Sequence, residues 1–283
     1  MAREDVLVST AWLAEHLHDP DLRIIDIRGH VLPASQPPPH YFNHHADYLR
    51  AHIPGAVFVD WVREITDPAD PRHARLAPPE RYAEVMSRCG VSDSTKVVAY
   101  DDAGGMFAAR LWWTLQYYGH AQACVLDGGW QAWCAEGREV SDVVAVPPSA
   151  RFIPRPQPDL IRSGDQVAGR SPDAVLVDVR SPEEFRGDWS RAGRNGHIPG
   201  AVNLPRGGMV GPDGHIPPQT VLEAQFASIA AQDGDEVVFY CNAGVSASYG
   251  LLAWRAAGRH GGAVYDGSWK DWGNDPSRPI VQG

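Results

Sequence analysis

Val237-Val238-Phe239-Tyr240-Cys241-Asn242-Ala243-Gly244-Val245-Ser246-Ala247-Ser248 is an apolar run that ends on a single cysteine. The β-branched and aromatic residues ahead of that cysteine predict a buried strand, and the pattern from Ser246 to Ala257 predicts a helix stopped by Gly258. Cys241 therefore falls at a strand-to-helix turn. In such a turn the loop amides can point inward and the helix start adds partial positive charge; both favour a sulfur anion, thiolate or persulfide. The alternative at this point is an ordinary buried cysteine that fills a core.

Composition narrows the field. The chain has 283 residues, room for two domains that each bury a core. A hydrophobic fraction of 43% and a charged fraction of 21% are those of a globular protein, not a disordered one. The formal net charge of −10 argues against nucleic acid or an anionic membrane as partner, yet leaves room for a local basic pocket that attracts a small anion. No stretch has the apolar length of a signal peptide or a membrane span, so a cytoplasmic protein is expected. Cys89, Cys124, Cys134 and Cys241 form neither a C-x-x-C motif nor a zinc-ligand spacing; reduced thiols, no metal and no other cofactor are expected. His40, His44 and His45 lie in a proline-bearing excursion, Val31 to His45, that reads as irregular surface and offers no third-ligand spacing for a metal.

In chain order the pattern predicts a helix capped by Ser9 or Thr10, a strand over Leu22 to Arg28, and a turn into a short strand at His52-Ile53-Pro54-Gly55-Ala56-Val57. A helix follows over Pro78 to Cys89, then a strand over Lys96 to Tyr100, a helix over Phe107 to Tyr118, and a strand over Ala123 to Leu126 closed by Asp127-Gly128-Gly129-Trp130. Pro147, Pro148, Pro154, Pro156 and Pro158 then mark an extended linker. The division is a first domain over 1–140, a linker over 141–159 and a second domain over 160–283.

After the linker the same signals return in the same order. Ile24-Ile25-Asp26-Ile27-Arg28 is echoed by Leu176-Val177-Asp178-Val179-Arg180, and the turn by the identical string His197-Ile198-Pro199-Gly200-Ala201-Val202. Asp127-Gly128-Gly129-Trp130 is echoed by Asp266-Gly267-Ser268-Trp269. One fold is written twice, and short strands alternating with helices make it α/β: tandem domains, each a parallel sheet with helices on both faces. Ligands of such sheets collect outside the carboxyl ends of the strands, where Cys241 sits.

The duplication supplies an internal comparison. Residues kept in both halves serve folding: the Asp-x-Arg pair, the His-Ile-Pro-Gly-Ala-Val turn with its histidines His52 and His197, and the Asp-Gly-x-Trp corner. The loop differs. Where the second half has Cys241-Asn242-Ala243-Gly244, the first has Asp101-Asp102-Ala103-Gly104. A core filler would be exchanged for Ala or Val; exchange for Asp marks a pocket floor that is active in one half and retired in the other. Arg110 either anchors Asp101 or reaches the pocket between the domains.

With these motifs in order, the chain resembles the two-domain rhodanese family, the thiosulfate and 3-mercaptopyruvate sulfurtransferases. Its active loop, Cys-x-x-Gly-Val-Thr/Ser-Ala, is matched by Cys241, Asn242, Ala243, Gly244, Val245, Ser246 and Ala247, and its end-of-domain signature by Tyr265-Asp266-Gly267-Ser268-Trp269. The resemblance implies a non-catalytic first domain, a catalytic second one and substrate between them. It also implies transfer of a sulfane sulfur from a small anionic donor, 3-mercaptopyruvate or thiosulfate, through a Cys241 persulfide to cyanide, a small thiol or a protein thiol. Amides from Asn242 to Ala247 would hold the sulfur, Gly244 would allow close approach, and the Ser246 hydroxyl would bond the sulfur or cap the helix. Uncharged Asn242 and Ala243 resemble the mercaptopyruvate group, although Ala243 lacks the hydroxyl usual there. Where that group places a carboxylate-binding arginine, this chain has Glu184, so Arg186, Arg191 and Arg194 are the candidates to bind the donor. The related cysteine-phosphatase loop closes with an arginine at a place held here by Ala247, which disfavours phosphate ester chemistry. A non-catalytic tandem docking module is the rival from another class.

Overall fold

The repeated apolar runs become the strands of two parallel sheets. The computed structural model describes residues 3–72, 74–148 and 150–283; Met1, Ala2 and His73 of the expected first domain and Ser149 of the expected linker lie outside the described residues. The first half contains β1 (Leu7–Val8), β2 (Leu22–Asp26), β3 (Gly29–Val31), β4 (Tyr41–Asn43), β5 (Val57–Phe58), β6 (Lys96–Tyr100) and β7 (Ala123–Leu126). The second contains β8 (Ile161–Arg162), β9 (Val175–Asp178), β10 (Ala201–Asn203), β11 (Val237–Tyr240) and β12 (Ala263–Tyr265). The sheets run β1-β7-β6-β2-β5 and β8-β12-β11-β9-β10, matched strand for strand, with every pairing parallel. The central β6 and β11 are apolar runs because both faces of a parallel sheet are covered.

The helices that follow these strands, Met106–Tyr117 and Val245–Ala256, pack against each other across the boundary between the halves. One core therefore serves both, with Trp61, Phe107 and Trp112 from the first half and Phe239, Tyr249 and Trp254 from the second. The outer face of each sheet is closed separately, around Ile53, Tyr100 and Trp133 in one and Ile198, Tyr240 and Trp269 in the other.

The twice-written residues do matching work. Arg28 grips Asp26 through its Nε at 2.9 and 3.1 Å, and Arg180 grips Asp178 at 3.1 Å. Each guanidinium lies over the corner tryptophan of its half, Trp130 at 4.3 Å and Trp269 at 4.6 Å. The amides of Ile53 and Ile198 donate to the hydroxyls of Tyr100 and Tyr240, both at 3.2 Å, which ties each turn to the central strand. His52 and His197 hold their turns through Nδ1, against Tyr48 O at 2.7 Å and Phe185 O at 2.8 Å.

The excursion from Val31 to His45 is more ordered than its composition suggests. β3 and β4 form an antiparallel hairpin in which His30 stacks on Phe42 and Trp61 Nε1 donates to Phe42 O at 2.9 Å. Asp102 ties it down, accepting Gly29 N–H at 3.1 Å and bonding His44 Nδ1 at 2.6 Å. Among the described residues no group of three His, Cys, Asp or Glu is placed to hold a metal ion, and no helix is long and apolar enough to cross a membrane.

Between Ala135 and Pro158 the described chain has neither helix nor strand, but it is not a free tether. Phe152 is buried against Tyr82, its amide donates to Ser87 Oγ at 3.0 Å, and Arg155 N–H donates to Tyr118 O at 2.9 Å.

The corner aspartates lock the halves together. Asp127 accepts the amide of Ile216 from the second half at 2.7 Å, and Asp266 accepts that of Leu76 from the first at 3.1 Å. Arg110 does neither of the things expected of it: it crosses to Asp266 at 2.7 Å and donates to Ala74 O at 2.6 Å. Both members of the pair are 1% exposed, and Asp266 also pairs with Arg75 at 3.1 Å, so removing Arg110 takes one of two cations from a buried carboxylate. Arg110→Met, which leaves Arg75 on Asp266, is expected to lower unfolding free energy by about 1–3 kcal/mol in urea titration, with Arg110→Met/Asp266→Asn recovering part of that loss.

Candidate active site

β11 ends at Tyr240, and the next residue, Cys241, opens a loop that turns into the helix at Val245. Gly244 is the helix cap, with φ at +78°; a Cβ there would meet Asp266 Oδ1 at 2.8 Å and Arg110 Nη1 at 2.9 Å. Left-handed backbone and lack of room both demand glycine. Beneath the loop stands Ser268, itself at φ +54°. Its Oγ accepts the amides of Cys241 at 3.0 Å and Gly244 at 3.1 Å and donates to Tyr265 O at 2.7 Å. Among the described residues the amides of Asn242, Ala243, Val245, Ser246 and Ala247 make no hydrogen bond, so they are left for whatever occupies the loop.

The twin loop shows what such amides do. Asp101, at the end of β6, is sealed from solvent, and its carboxylate accepts Ala103 N–H at 2.8 Å, Gly105 N–H at 2.9 Å, Phe107 N–H at 2.7 Å and Ala108 N–H at 2.8 Å. Burial pushes this carboxyl above its ordinary range, and the amides of Ala108, Ala103 and Gly105 pull it back. Its loop is one residue longer, since the left-handed cap is Gly105 in one half and Gly244 in the other. Aligned on those caps, Phe107 and Ala108 correspond to Ser246 and Ala247. The first-half loop is thus an anion cradle filled by its own side chain. Asp101 does not face the cleft.

Cys241 is 4% exposed and opens onto a cavity of about 430 Å³ between the halves. Its walls are largely apolar: Val31, Tyr41, Trp61 and Met106 from the first half, Val179 and Trp189 from the second. The hairpin of β3 and β4 supplies Val31 and Tyr41, which is what the ordered excursion contributes to the site. Asn242, Ala243, Val245 and Ser246 also line it, whereas Gly244 and Ala247 are buried behind. Ser246 does not cap the helix; its hydroxyl donates to Met106 Sδ at 3.2 Å, across the boundary. Cys89, Cys124 and Cys134 are remote from the cavity, and burial raises all three thiols, Cys89 to about 11.

The arginine candidates separate. Arg191 lines the cavity and donates to Leu32 O of the first half at 2.9 Å. Arg186 does not reach it; it is half exposed and pairs with Asp188 at 2.8 Å. Arg194 is consumed by carbonyls, donating to Gly273 at 3.0 Å, Arg278 at 2.9 Å and Trp272 at 3.0 Å. Arg206, which no motif signalled, lines the cavity and donates to Ala103 O and Gly104 O at 3.3 Å. Glu184 is there too, 6% exposed, accepting Asn242 Nδ2 at 2.8 Å. Ser268 was also missed as a loop support, although the change from Gly129 in an otherwise repeated corner was visible.

A parallel unit used twice, with a thiol at one strand end and a carboxylate at the other, is the organisation of a sulfurtransferase built from paired rhodanese domains. The family model of the rhodanese-like domain matches residues 9–136 and 164–275. The sulfur carrier protein TtuD of Thermus thermophilus is 33% identical over 100% of this chain and 98% of its own length. The thiosulfate sulfurtransferase of Corynebacterium glutamicum is 32% identical over 100% of this chain and 92% of its own. The crystal structure of SseA from Escherichia coli, among the 3-mercaptopyruvate sulfotransferases, superposes with a TM-score of 0.82 at 30% identity, over 93% of this chain and 98% of that one. The chain belongs to the rhodanese family of sulfurtransferases.

Ser268 offers a direct check on the loop. Ser268→Ala keeps the strained φ and leaves the buried amides of Cys241 and Gly244 without an acceptor, for a loss of about 1–3 kcal/mol in urea unfolding. Ser268→Gly, the residue of the twin corner, relieves the left-handed backbone and should lose about 1 kcal/mol less.

Proposed function

We propose that the protein moves a sulfane sulfur from a small anionic donor, 3-mercaptopyruvate or thiosulfate, through a persulfide on Cys241 to a thiophilic acceptor such as cyanide or a thiol. In the first step the Cys241 thiolate attacks the outer sulfur of the donor. A Sγ–S bond forms, the donor's bond to that sulfur breaks, and its electron pair leaves with pyruvate enolate or sulfite. In the second step the acceptor takes the outer sulfur and the pair returns to Cys241. Both resting states put negative charge on sulfur at one place.

The observation that carries this reading is the set of unbonded loop amides beside Cys241, in the position where the twin loop satisfies Asp101 with four amides. Preorganised donors of this kind stabilise charge without reorganising during the reaction. The donor's anionic end would be met by Arg191 and Arg206, which line the cavity and, among the described residues, hydrogen-bond only to carbonyls and pair with no carboxylate. Relatives named for thiosulfate and for 3-mercaptopyruvate both match along nearly the whole chain.

Incubation with either donor should add one sulfur to the intact mass, and cyanide should remove it. Cys241→Ser should take up none while retaining the wild-type urea midpoint. Arg191→Met and Arg206→Met should each raise KM for the preferred donor by about tenfold, the size of one charge-assisted contact. Persistent sulfur uptake by Cys241→Ser would refute the assignment, and no uptake from either donor by folded, reduced protein would favour the docking module.

A further inference from the structure

Glu184 is a carboxylate on the wall of a cavity meant for anions, and its surroundings leave its charge unmatched. Arg180, also on the cavity wall, is a buried cation that feels the charge of Glu184, but it is already paired with Asp178 at 2.6 Å, both members being nearly inaccessible. Arg180, Asp178 and Glu184 together therefore carry one surplus negative charge. Among the described residues Glu184 forms no ion pair, and its one side-chain hydrogen bond comes from the neutral amide of Asn242. A buried carboxylate in that condition calls for a cation. Asn242 adds a second signal: with Nδ2 turned to Glu184, its Oδ1 is buried and has no hydrogen-bond partner among the described residues. Both acceptors thus belong to residues that line the cavity onto which Cys241 opens, and Asn242 is the next residue along the loop.

The remaining charges of the cavity lie elsewhere. Arg191 and Arg206 are bonded to main-chain carbonyls of the first half, Arg191 to Leu32 O and Arg206 to Ala103 O and Gly104 O. The cavity thus presents guanidiniums toward the first half and a carboxylate with an amide oxygen beside the loop. A single simple anion uses only one of these sides.

We propose that Glu184 and the Asn242 Oδ1 bind the acceptor, and that the acceptor is a small aminothiol whose protonated amine lies beside its thiol. The proposal rests on the sulfurtransferase reading above and names the class of compound that completes its second step. The ammonium donates to Glu184 and to Asn242 Oδ1, which brings the acceptor's thiolate to the Cys241 persulfide. The thiolate attacks the outer sulfur, a new S–S bond forms on the aminothiol, and the Sγ–S bond breaks with its electron pair returning to Cys241. The thiol proton is released to solvent as the thiolate forms. Charge alone turns away acceptors that bring a carboxylate to the same spot.

The test separates the two half-reactions. Protein is loaded with sulfur from thiosulfate, loading is verified by intact mass, and the donor is removed. Discharge is then followed in single turnover with cysteamine, 2-mercaptoethanol and 3-mercaptopropionate, with rates expressed per thiolate concentration. Cysteamine is expected to be faster than 2-mercaptoethanol by on the order of tenfold, and 3-mercaptopropionate slowest. Glu184→Gln, which keeps an oxygen to accept from Asn242, should bring the ratio of cysteamine to 2-mercaptoethanol close to one, and Glu184→Arg should favour 3-mercaptopropionate. Equal rates for the three thiols with the wild-type protein, or an undiminished cysteamine preference in Glu184→Gln, would overturn the proposal. Protein that takes up no sulfur from thiosulfate or 3-mercaptopyruvate would contradict the sulfurtransferase reading, and this proposal with it.

Discussion

The hydrogen-bonding capacity of one short loop governs the rest of the molecule. Main-chain amides that start a helix after a parallel strand cannot all find partners within the helix, and in a buried setting each must be satisfied by something. The first half satisfies them permanently with the Asp101 carboxylate. The second half ties off two amides on the Ser268 hydroxyl and leaves the others in the loop of Cys241 without a partner among the described residues. An anion that can be made and unmade, such as a thiolate or persulfide, fits that vacancy in hydrogen bonding where a fixed carboxylate would close it.

The doubled fold makes the loop usable by giving it a wall. The helix that rises from each loop packs on the other, so the first half contributes core, cavity lining and the buried lock of Arg110 on Asp266. That lock also reaches the loop, because Asp266 Oδ1 and Arg110 Nη1 occupy the space that would receive a side chain at Gly244. Interface geometry and loop geometry are coupled at a single glycine.

Much of this was legible in the residues. Strand runs such as Val237 to Tyr240, the repeated Asp-x-Arg and the identical turns are local patterns whose periodicity and pairing need no tertiary context. A folding role for Arg180 followed from its echo in Arg28. Arg206, Tyr41 and Trp61 reach the cavity from segments distant in the chain and carry no pattern of their own. Arg194 looked available for substrate until the chain near its end, Trp272 to Arg278, folded back to offer it carbonyls. The hairpin of β3 and β4 was hidden by prolines between its strands, and the one-residue difference between the loops by the two adjacent glycines Gly104 and Gly105.

The central claim is that the loop around residue 241 is built to hold a negative charge, and the stability of Cys241→Asp measures it without recourse to activity. A carboxylate placed in a buried site with no donors costs several kcal/mol. If the free amides of this loop meet it as the twin loop meets Asp101, urea unfolding at neutral pH should give a free energy within about 1 kcal/mol of the wild-type value. A loss of several kcal/mol, with the wild-type fold otherwise retained, would contradict the account.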